Sequence, residues 1–142
     1  MAVTLNPYLN FPGTAREAMT FYQRVLGGEL TINTFGEYGT EGEGADGIMH
    51  AQLETPDGLV LMASDMPPGA EGTHNPGNNI TVSLSGDGEQ LRGFWQALSE
   101  GAEIQMPLEK QMWGDEFGSL TDRYGIPWMV NIAGDRGESG QG

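Results

Sequence analysis

Two histidines and the absence of cysteine define the chemistry that this sequence can support. His50 lies in the alternating segment IMHAQLE (48–54), with Gln52 on the same side of the predicted strand. An imidazole there could hydrogen-bond a ligand or act as a general base, or it could bond a neighbouring strand as a structural residue. His50 is therefore the candidate catalytic residue. His74 lies among Gly, Pro and Asn residues, which is typical of an exposed loop.

Metal and nucleotide motifs are weak in this chain. Without cysteine it cannot form a disulfide, a thiolate zinc site, an iron–sulfur cluster or a cysteine nucleophile. A metal site that combines both histidines with Asp46 or Asp65 is an option, but no spacing among them sets a coordination geometry. The segment 42–47 fits the pattern GxGxxG, yet it precedes a strand and carries two acids that would repel a pyrophosphate. That segment is predicted to be a loop.

Trp113 is the candidate lid residue. It lies in the segment QMWGDEF (111–117), in which Trp113 and Phe117 flank Gly114 and two acids. Such a loop could fold over a bound ligand with the indole ring as a cover. Packing of both rings in the core is the alternative interpretation.

The charge balance excludes several classes of partner. The 142 residues include 20 acidic and 6 basic side chains, a formal net charge of −14. Because this charge would repel a polyphosphate, we expect no nucleic-acid partner. No apolar segment approaches the roughly 20 residues that a membrane helix needs, and no basic and apolar leader is visible. The sequence predicts a cytoplasmic protein with no membrane partner.

The chain contains an internal repeat. A shift of 73 residues aligns the alternating segment Asn6–Phe11 with Asn79–Leu84. The same shift aligns the amphipathic segment FYQRVLGG (21–28) with FWQALSEG (94–101). A strand and a helix that repeat at one offset indicate two copies of one structural unit.

The ends of both helices carry similar signals. The capping box Thr14–Glu17 precedes the first helix, and Asp87–Gln90 precedes the second with a similar logic. Gly28 and Gly101 are natural residues to end them. We therefore predict that the two helices begin and end at equivalent positions.

Three segments of strand composition follow each helix. They are residues 29–35, 48–54 and 59–64 in the first half, and residues 103–108, about 117–120 and 126–132 in the second. The last pair aligns at a shift of 67, so the first half holds six more residues, which we place in the Gly-rich acidic loop 36–47.

The predicted fold class is α+β, with two βαβββ modules and eight strands around a cavity. All 142 residues form a single domain in this prediction. Its parts are module 1 at about 5–64, a linker at 65–77, module 2 at about 78–133 and a flexible tail at 134–142.

Strand alternation gives each predicted strand two faces. One face packs under the helices, and its expected members include Met49, Leu59 and Ile80. The opposite face mixes amide, hydroxyl, imidazole, phenol and thioether groups, which suits a pocket where a few polar groups orient a ligand against apolar walls. The residues expected on that face are Asn6, Tyr8, Asn10, His50, Gln52, Val60, Met62, Ser64, Thr81, Ser83, Met129 and Asn131.

Five segments of the chain carry a family resemblance: YLNF, EAMTFYQRVLGG, IMHAQLE, LVLMASD and FGSLTDRYGIPWMVNI. They resemble the PhnB-like branch of the glyoxalase/bleomycin-resistance/dioxygenase superfamily, also called the vicinal oxygen chelate superfamily. The resemblance spans about residues 5–133. It implies two βαβββ modules closed around one small-molecule cavity, and a homodimer that completes cavities between modules or subunits.

Metal-dependent members of that superfamily hold one ligand at the start of the first strand and one in the last strand of each module, commonly His and Glu. The resemblance places these positions at Asn6, Met62, Asn79 and Met129. Two amides and two thioethers supply neither the charge nor the oxygen-rich set that a hard divalent ion needs. We therefore expect no metal and no cofactor.

The sequence predicts a metal-independent protein that binds a small, partly aromatic or amphipathic molecule. Its expected ligand-binding residues are Tyr8, His50, Gln52, Met62, Thr81, Trp113 and Met129. The alternative is a metal-dependent lyase, isomerase or dioxygenase that recruits a divalent ion through His50 and carboxylates outside the family positions. Metal-free acid–base catalysis by His50 is a third option.

Overall fold

The computed structural model describes residues 3–86 and 88–134 of the chain. They divide into two compact units, with the boundary between Asn75 and Pro76. The described residues of each unit form one four-stranded sheet and one α-helix, which confirms the predicted α+β class with two βαβββ modules and eight strands. The predicted cap residue Asp87 and residues 135–142 of the predicted tail lie outside the described residues.

The first unit is a four-stranded sheet with a helix packed on one face. Its elements are β1 (Tyr8–Phe11), α1 (Ala15–Leu26), β2 (Glu29–Thr34), β3 (Ile48–Glu54) and β4 (Val60–Asp65). The strand order is β1-β4-β3-β2, in which β1 and β4 are parallel and the other neighbours are antiparallel. Two short 3₁₀ turns lie at Gly36–Tyr38 and Glu71–Thr73.

The second unit repeats this arrangement. Its elements are β5 (Val82–Gly86), α2 (Glu89–Leu98), β6 (Glu103–Lys110), β7 (Glu116–Thr121) and β8 (Pro127–Ile132). The order β5-β8-β7-β6, with β5 parallel to β8, matches that of the first sheet. Within the described part of the chain, neither helix has the length and hydropathy needed to cross a bilayer.

Each helix covers one face of its own sheet because apolar side chains recur along it every three to four residues. Phe21 and Tyr22 of α1 are almost wholly buried, and each such side chain contributes roughly 1.5–3 kcal/mol through removal from water. The apolar strand side chains buried in the first unit are Leu9, Phe11, Ile48, Ala51, Leu53, Leu61 and Ala63. Those buried in the second unit are Leu120, Trp128, Val130 and Ile132, with Leu91, Phe94 and Leu98 of α2.

Two helix ends differ from the prediction, the start of α1 and the end of α2. Thr14 precedes α1 but its side chain makes no capping hydrogen bond. The carboxylate of Asp65 caps the helix instead, because its Oδ1 accepts from the Ala15 amide at 2.8 Å. Gly27 is the C-cap of α1, so Gly28 follows it as the C′ residue, as predicted. Ser99 is the C-cap of α2, so Gly101 lies one residue beyond the predicted C′ position.

The strand repeat has a different offset from the helix repeat. Tyr8 pairs with Met62 and Ser83 pairs with Met129, so the first strands of the two units are equivalent at an offset of 75 rather than 73. The connection between strand and helix has three residues in the first unit and two in the second. The single predicted offset of 73 is therefore wrong for these strands, because a loop deletion leaves no hydrophobic pattern to mark it.

A β-bulge in β3 changes which side chains face α1, compared with the prediction. Asn33 pairs with His50, but the next residue Thr34 pairs with Ile48, so Met49 is the extra residue. Ile48 is consequently buried, at 1% exposure, and Met49 is only half-buried. Simple alternation had placed Met49 under the helix.

Two other apolar residues predicted under the helices lie outside the strands. Leu59 immediately precedes β4, and Ile80 lies two residues before β5. Both are exposed, Ile80 at 76%. The strands begin one to three residues later than the apolar pattern indicated, so alternation does not apply at these positions.

The turns that precede β4 and β8 are copies of each other. The Thr55 amide donates to the Leu59 carbonyl at 3.0 Å, and the Asp122 amide donates to the Ile126 carbonyl at 2.9 Å. Gly58 and Gly125 are the fourth of the five residues in these turns, with φ of 87° and 89°. A left-handed residue at this point favours glycine, which explains why both repeats carry one.

Candidate functional site

The outer face of the first sheet is the face opposite α1. It carries Tyr8, His50, Gln52, Glu54 and Met62, which alternate along their strands with side chains of the buried core. Tyr8 is 46% exposed, while His50, Gln52 and Met62 are half-buried. Four predicted ligand-binding residues from three strands therefore lie on one accessible surface.

A chain of side-chain hydrogen bonds crosses this outer face. The Tyr8 hydroxyl lies 3.2 Å from Nδ1 of His50, and the two rings have centroids 5.7 Å apart. Nε2 of His50 lies 3.3 Å from Oε1 of Gln52. Nε2 of Gln52 donates to Oε2 of Glu54 at 2.6 Å. These hydrogen bonds hold the Tyr8 and His50 side chains in defined orientations at the surface.

Met62 lies at the centre of the outer face. Met62 pairs with Tyr8 on β1 and with Gln52 on β3. Gln52 in turn pairs with Thr31 on β2. Side chains directly opposite each other in a sheet are close enough to contact. Met62 therefore supplies an apolar, polarisable contact beside the hydrogen-bonded chain.

The second sheet has an equivalent row on the face opposite α2. Met129 on β8 pairs with Ser83 on β5 and with Ser119 on β7. Ser119 in turn pairs with Met106 on β6. Met129 is half-buried, as Met62 is in the first unit. Each sheet thus carries one methionine at the centre of its outer face.

Trp113 lies on a tight turn between β6 and β7. The Gln111 amide donates to the Asp115 carbonyl at 2.7 Å, and the Asp115 carboxylate accepts from the Asn131 side chain and the Gly134 amide, both at 2.9 Å. The Trp113 ring lies edge-on to Phe117 with centroids 6.4 Å apart. Because Trp113 is 57% exposed, it is an accessible aromatic surface and not a core residue.

Two buried carboxylates near these sheets have structural roles. Asp65 accepts from the Ala15 amide with Oδ1 and from the Ile48 amide with Oδ2, at 2.8 and 2.9 Å. Asp122 accepts from two turn amides with Oδ1 and from the Trp128 indole with Oδ2 at 2.8 Å. These bonds give both aspartates a role in fixing the backbone, and they occupy the Asp65 oxygens that a metal site would need.

An open groove of about 400 Å³ lies along α2 in the second unit. Its lining residues are Arg92, Trp95, Gln96, Ser99 and Leu108. Arg92 is already paired with Glu116 and Glu89, and the hydrogen bond to Glu116 raises the pKa of its guanidinium. The only cation lining this groove is therefore paired within the protein.

The family metal positions do not form a suitable ligand set. Asn6 precedes β1 and donates from its amide to Thr4 Oγ1 at 3.1 Å, and Asn79 is exposed before β5. Strand pairing puts Tyr8 beside Met62 and Ser83 beside Met129, so the asparagines do not pair with the methionines. Neutral amide, hydroxyl and thioether groups do not fit a hard divalent cation.

Carboxylate and imidazole side chains do not replace that set. Within residues 3–86 and 88–134, no three His, Asp or Glu side chains come together as metal ligands do. His50 has Tyr8 and Gln52 as its hydrogen-bond partners. The residues present therefore do not fit a catalytic divalent metal.

The remaining predicted residues lie apart from the hydrogen-bonded chain. Thr81 is exposed in the segment before β5, and the place beside Met129 is taken by Ser83. His74 is half-buried and donates from Nε2 to the Asn10 carbonyl at 3.1 Å, which attaches its loop to β1. Glu54 was missed, although its spacing of two residues from Gln52 places it on the same face.

Comparisons with known proteins agree with this architecture. The family model of the Glyoxalase/Bleomycin resistance protein/Dioxygenase superfamily matches residues 4–130. The chain is 29% identical over 141 residues to protein YjdN of Escherichia coli K12, covering 90% of this chain and 94% of that protein.

Two solved structures are similar over nearly the whole chain. Protein PA1353 from Pseudomonas aeruginosa is 36% identical with a TM-score of 0.80, and the match covers 93% of this chain and 98% of that one. The PhnB protein from Bacillus cereus is 26% identical with a TM-score of 0.71, covering 92% of this chain and 100% of that one. The shared fold includes both repeated units.

Proposed function

This chain belongs to the PhnB-like branch of the glyoxalase/bleomycin resistance protein/dioxygenase superfamily, and we propose that it binds a small organic molecule without a metal ion. The observation that carries the proposal is the outer face of the first sheet. There a neutral methionine lies beside a chain of hydrogen-bonded side chains that ends in an exposed phenol. Such a surface can orient a ligand, and the Glu54 carboxylate at the other end of the chain is bonded to Gln52.

The proposed ligand is partly aromatic or amphipathic. Met62 supplies a thioether, which makes favourable contacts with aromatic rings of roughly 0.3–1.5 kcal/mol. Tyr8 and His50 add ring surface together with polar atoms. A ligand with one polar edge and one apolar ring would use both kinds of contact.

Trp113 provides a separate candidate contact, on the second unit, in this proposal. Its ring is held against Phe117 by a turn whose Asp115 carboxylate is anchored to Asn131. A rigid, exposed indole loses little conformational entropy when it contacts a flat ligand. We assign Trp113 to ligand contact through the second unit.

A thermal-shift screen of aromatic and amphipathic metabolites in the presence of EDTA tests the proposal. A ligand that binds only the folded state stabilises it by RT ln(1 + [L]/Kd), about 2.7 kcal/mol at 100 times Kd. We expect a hit whose shift persists in EDTA and falls when Met62→Ala or Tyr8→Phe is introduced.

Tyr38→Phe is the matched control for Tyr8→Phe, because Tyr38 is an exposed loop tyrosine at 63% exposure. It should leave the ligand-induced shift unchanged. Ligand shifts that appear only after a divalent metal is added, or that ignore both outer-face substitutions, would contradict the proposal.

The Tyr8 and His50 contact also supports a second candidate function, metal-free acid–base catalysis. In that case His50→Gln should abolish turnover of a bound ligand while its affinity changes by less than about tenfold, or roughly 1.4 kcal/mol. His74→Gln is the control, since His74 bonds only a backbone carbonyl among the contacts described. Equal loss of turnover and affinity in His50→Gln would assign the residue to binding alone.

A further inference from the structure

We infer that Glu54 sets the direction of the hydrogen-bond chain on the outer face, and that this direction makes Tyr8 recognise a ligand group that donates a hydrogen bond. The inference rests on the proposed binding function and names the chemical class of the ligand group. The class includes a phenol, an amide N–H or a protonated amine, and it excludes a carboxylate at this position.

The Glu54 carboxylate determines which group donates and which accepts in each hydrogen bond of the chain. An ionised carboxylate has no proton and can only accept hydrogen bonds. The amide group of Gln52 must therefore turn its Nε2 toward Glu54, as the 2.6 Å contact shows. This leaves Oε1, an acceptor, facing His50.

The orientation of Gln52 determines which nitrogen of the His50 imidazole carries the proton. Nε2 of His50 faces the acceptor Oε1 of Gln52 at 3.3 Å, so Nε2 must carry the proton. In a neutral ring Nδ1 then has no proton and accepts. The Tyr8 hydroxyl, 3.2 Å away, is the group that donates to it.

Tyr8 is the end of the chain that a ligand can reach. Its single hydroxyl proton is used in the bond to His50, so the oxygen presents only lone pairs to an incoming group. The residue is 46% exposed, and Met62 lies beside it across the strand pair. The net charge of −14 also favours neutral and cationic ligands over anions.

Histidine-ring NMR tests the direction without any ligand. Protein labelled with ¹⁵N-histidine, studied at pH 8 to keep imidazoles neutral, should show His50 as the Nε2–H tautomer. The His74→Gln variant has only one histidine, so its spectrum shows which ring signals belong to His50. In Glu54→Gln the residue 54 side chain can donate or accept, so Gln52 is free to turn over and the His50 signals should shift toward a mixture of tautomers.

Glu29→Gln is the matched control, because Glu29 pairs with Glu54 across β2 and β3. This variant removes one carboxylate charge directly across the strand pair from Glu54, but it leaves the contact between Glu54 and Gln52. We expect its His50 tautomer to equal that of the wild type. An Nδ1–H tautomer in the wild type, or equal spectra for both variants, would overturn the inference.

Fragment titrations then test the ligand class. Phenol and anisole have similar size, but only phenol can donate a hydrogen bond, and benzoate offers only acceptors. We expect phenol to bind the outer face at least about tenfold more tightly than anisole or benzoate, judged by shifts of Tyr8 and Met62 signals. Tyr8→Phe should remove that preference.

The two proposals fail in different ways. If the His50 tautomer is as expected but benzoate binds as tightly as phenol, the ligand-class inference is overturned while the binding function stands. If none of the three fragments shifts the outer-face signals at 20 mM, a concentration about twenty times a 1 mM Kd, both the inference and the assignment of the outer face to binding are overturned.

Discussion

Asp65 connects three parts of the first unit through one carboxylate. Its Oδ1 accepts from the first amide of α1, and its Oδ2 accepts from the Ile48 amide at the start of β3. From the sequence, Asp65 could be a turn-capping residue or part of a metal site with the histidines. The capping role depends on β4 ending beside the helix N-terminus, which no local pattern encodes.

We expect Asp65→Ala to lower the free energy of unfolding by about 3 kcal/mol. The substitution leaves two buried amides without their acceptor, each costing roughly 1–3 kcal/mol, although some relaxation reduces the sum. Urea denaturation measures the change. Asp46→Ala, on an exposed loop, should change stability by less than about 0.5 kcal/mol. Equal stability of the two variants would show that Asp65 is not a structural acceptor.

Residue-level prediction succeeded where strict alternation holds and failed where side-chain contacts decide. His50, Gln52 and Met62 share the outer face, as the period of two requires. The bonds from Tyr8 to His50 and from Gln52 to Glu54 depend on rotamers and cross-strand register, so the role of Glu54 was missed.

At the level of elements, both helices and all eight strands of the described residues were predicted within a few residues. The errors came from features that leave no hydrophobic period, namely the shorter connection before α2 and the bulge at Met49. A single offset of 73 consequently aligned Asn6 with Asn79, whereas the strand pairing makes Tyr8 equivalent to Ser83.

The duplicated turns allow a matched test in the two units. Gly58→Ala and Gly125→Ala both add a Cβ into open space at a positive φ, so each should destabilise the protein by about 1–2 kcal/mol from backbone strain alone. At Gly28, φ is also positive, but the added Cβ would overlap the Glu54 carbonyl of the sheet.

Gly28→Ala should therefore cost at least about twice as much as either turn variant, because a paired strand backbone cannot shift cheaply. Urea denaturation of all three variants gives the comparison. Unequal effects of Gly58→Ala and Gly125→Ala, by more than about 1 kcal/mol, would contradict the equivalence of the two turns.

At the level of the whole molecule, we propose a homodimer. Ile104 and Met106 on β6 are 45% and 41% exposed, and Met112 is 97% exposed. Apolar side chains on an edge strand are commonly covered by another chain. With a chain mass of 15.2 kDa, light scattering should give about twice that value, and Ile104→Lys should shift it toward the monomer. A monomer mass for the wild type would contradict the proposal.

Metal content of protein purified without a chelator tests the central claim most directly. The claim is that the paired strand positions Tyr8–Met62 and Ser83–Met129 present neutral groups that do not fit a hard divalent ion. Elemental analysis should find zinc, nickel, iron and manganese far below one equivalent per chain, with ligand-induced stabilisation unchanged by EDTA. About one equivalent of tightly held metal, lost together with ligand binding on chelation, would contradict the account.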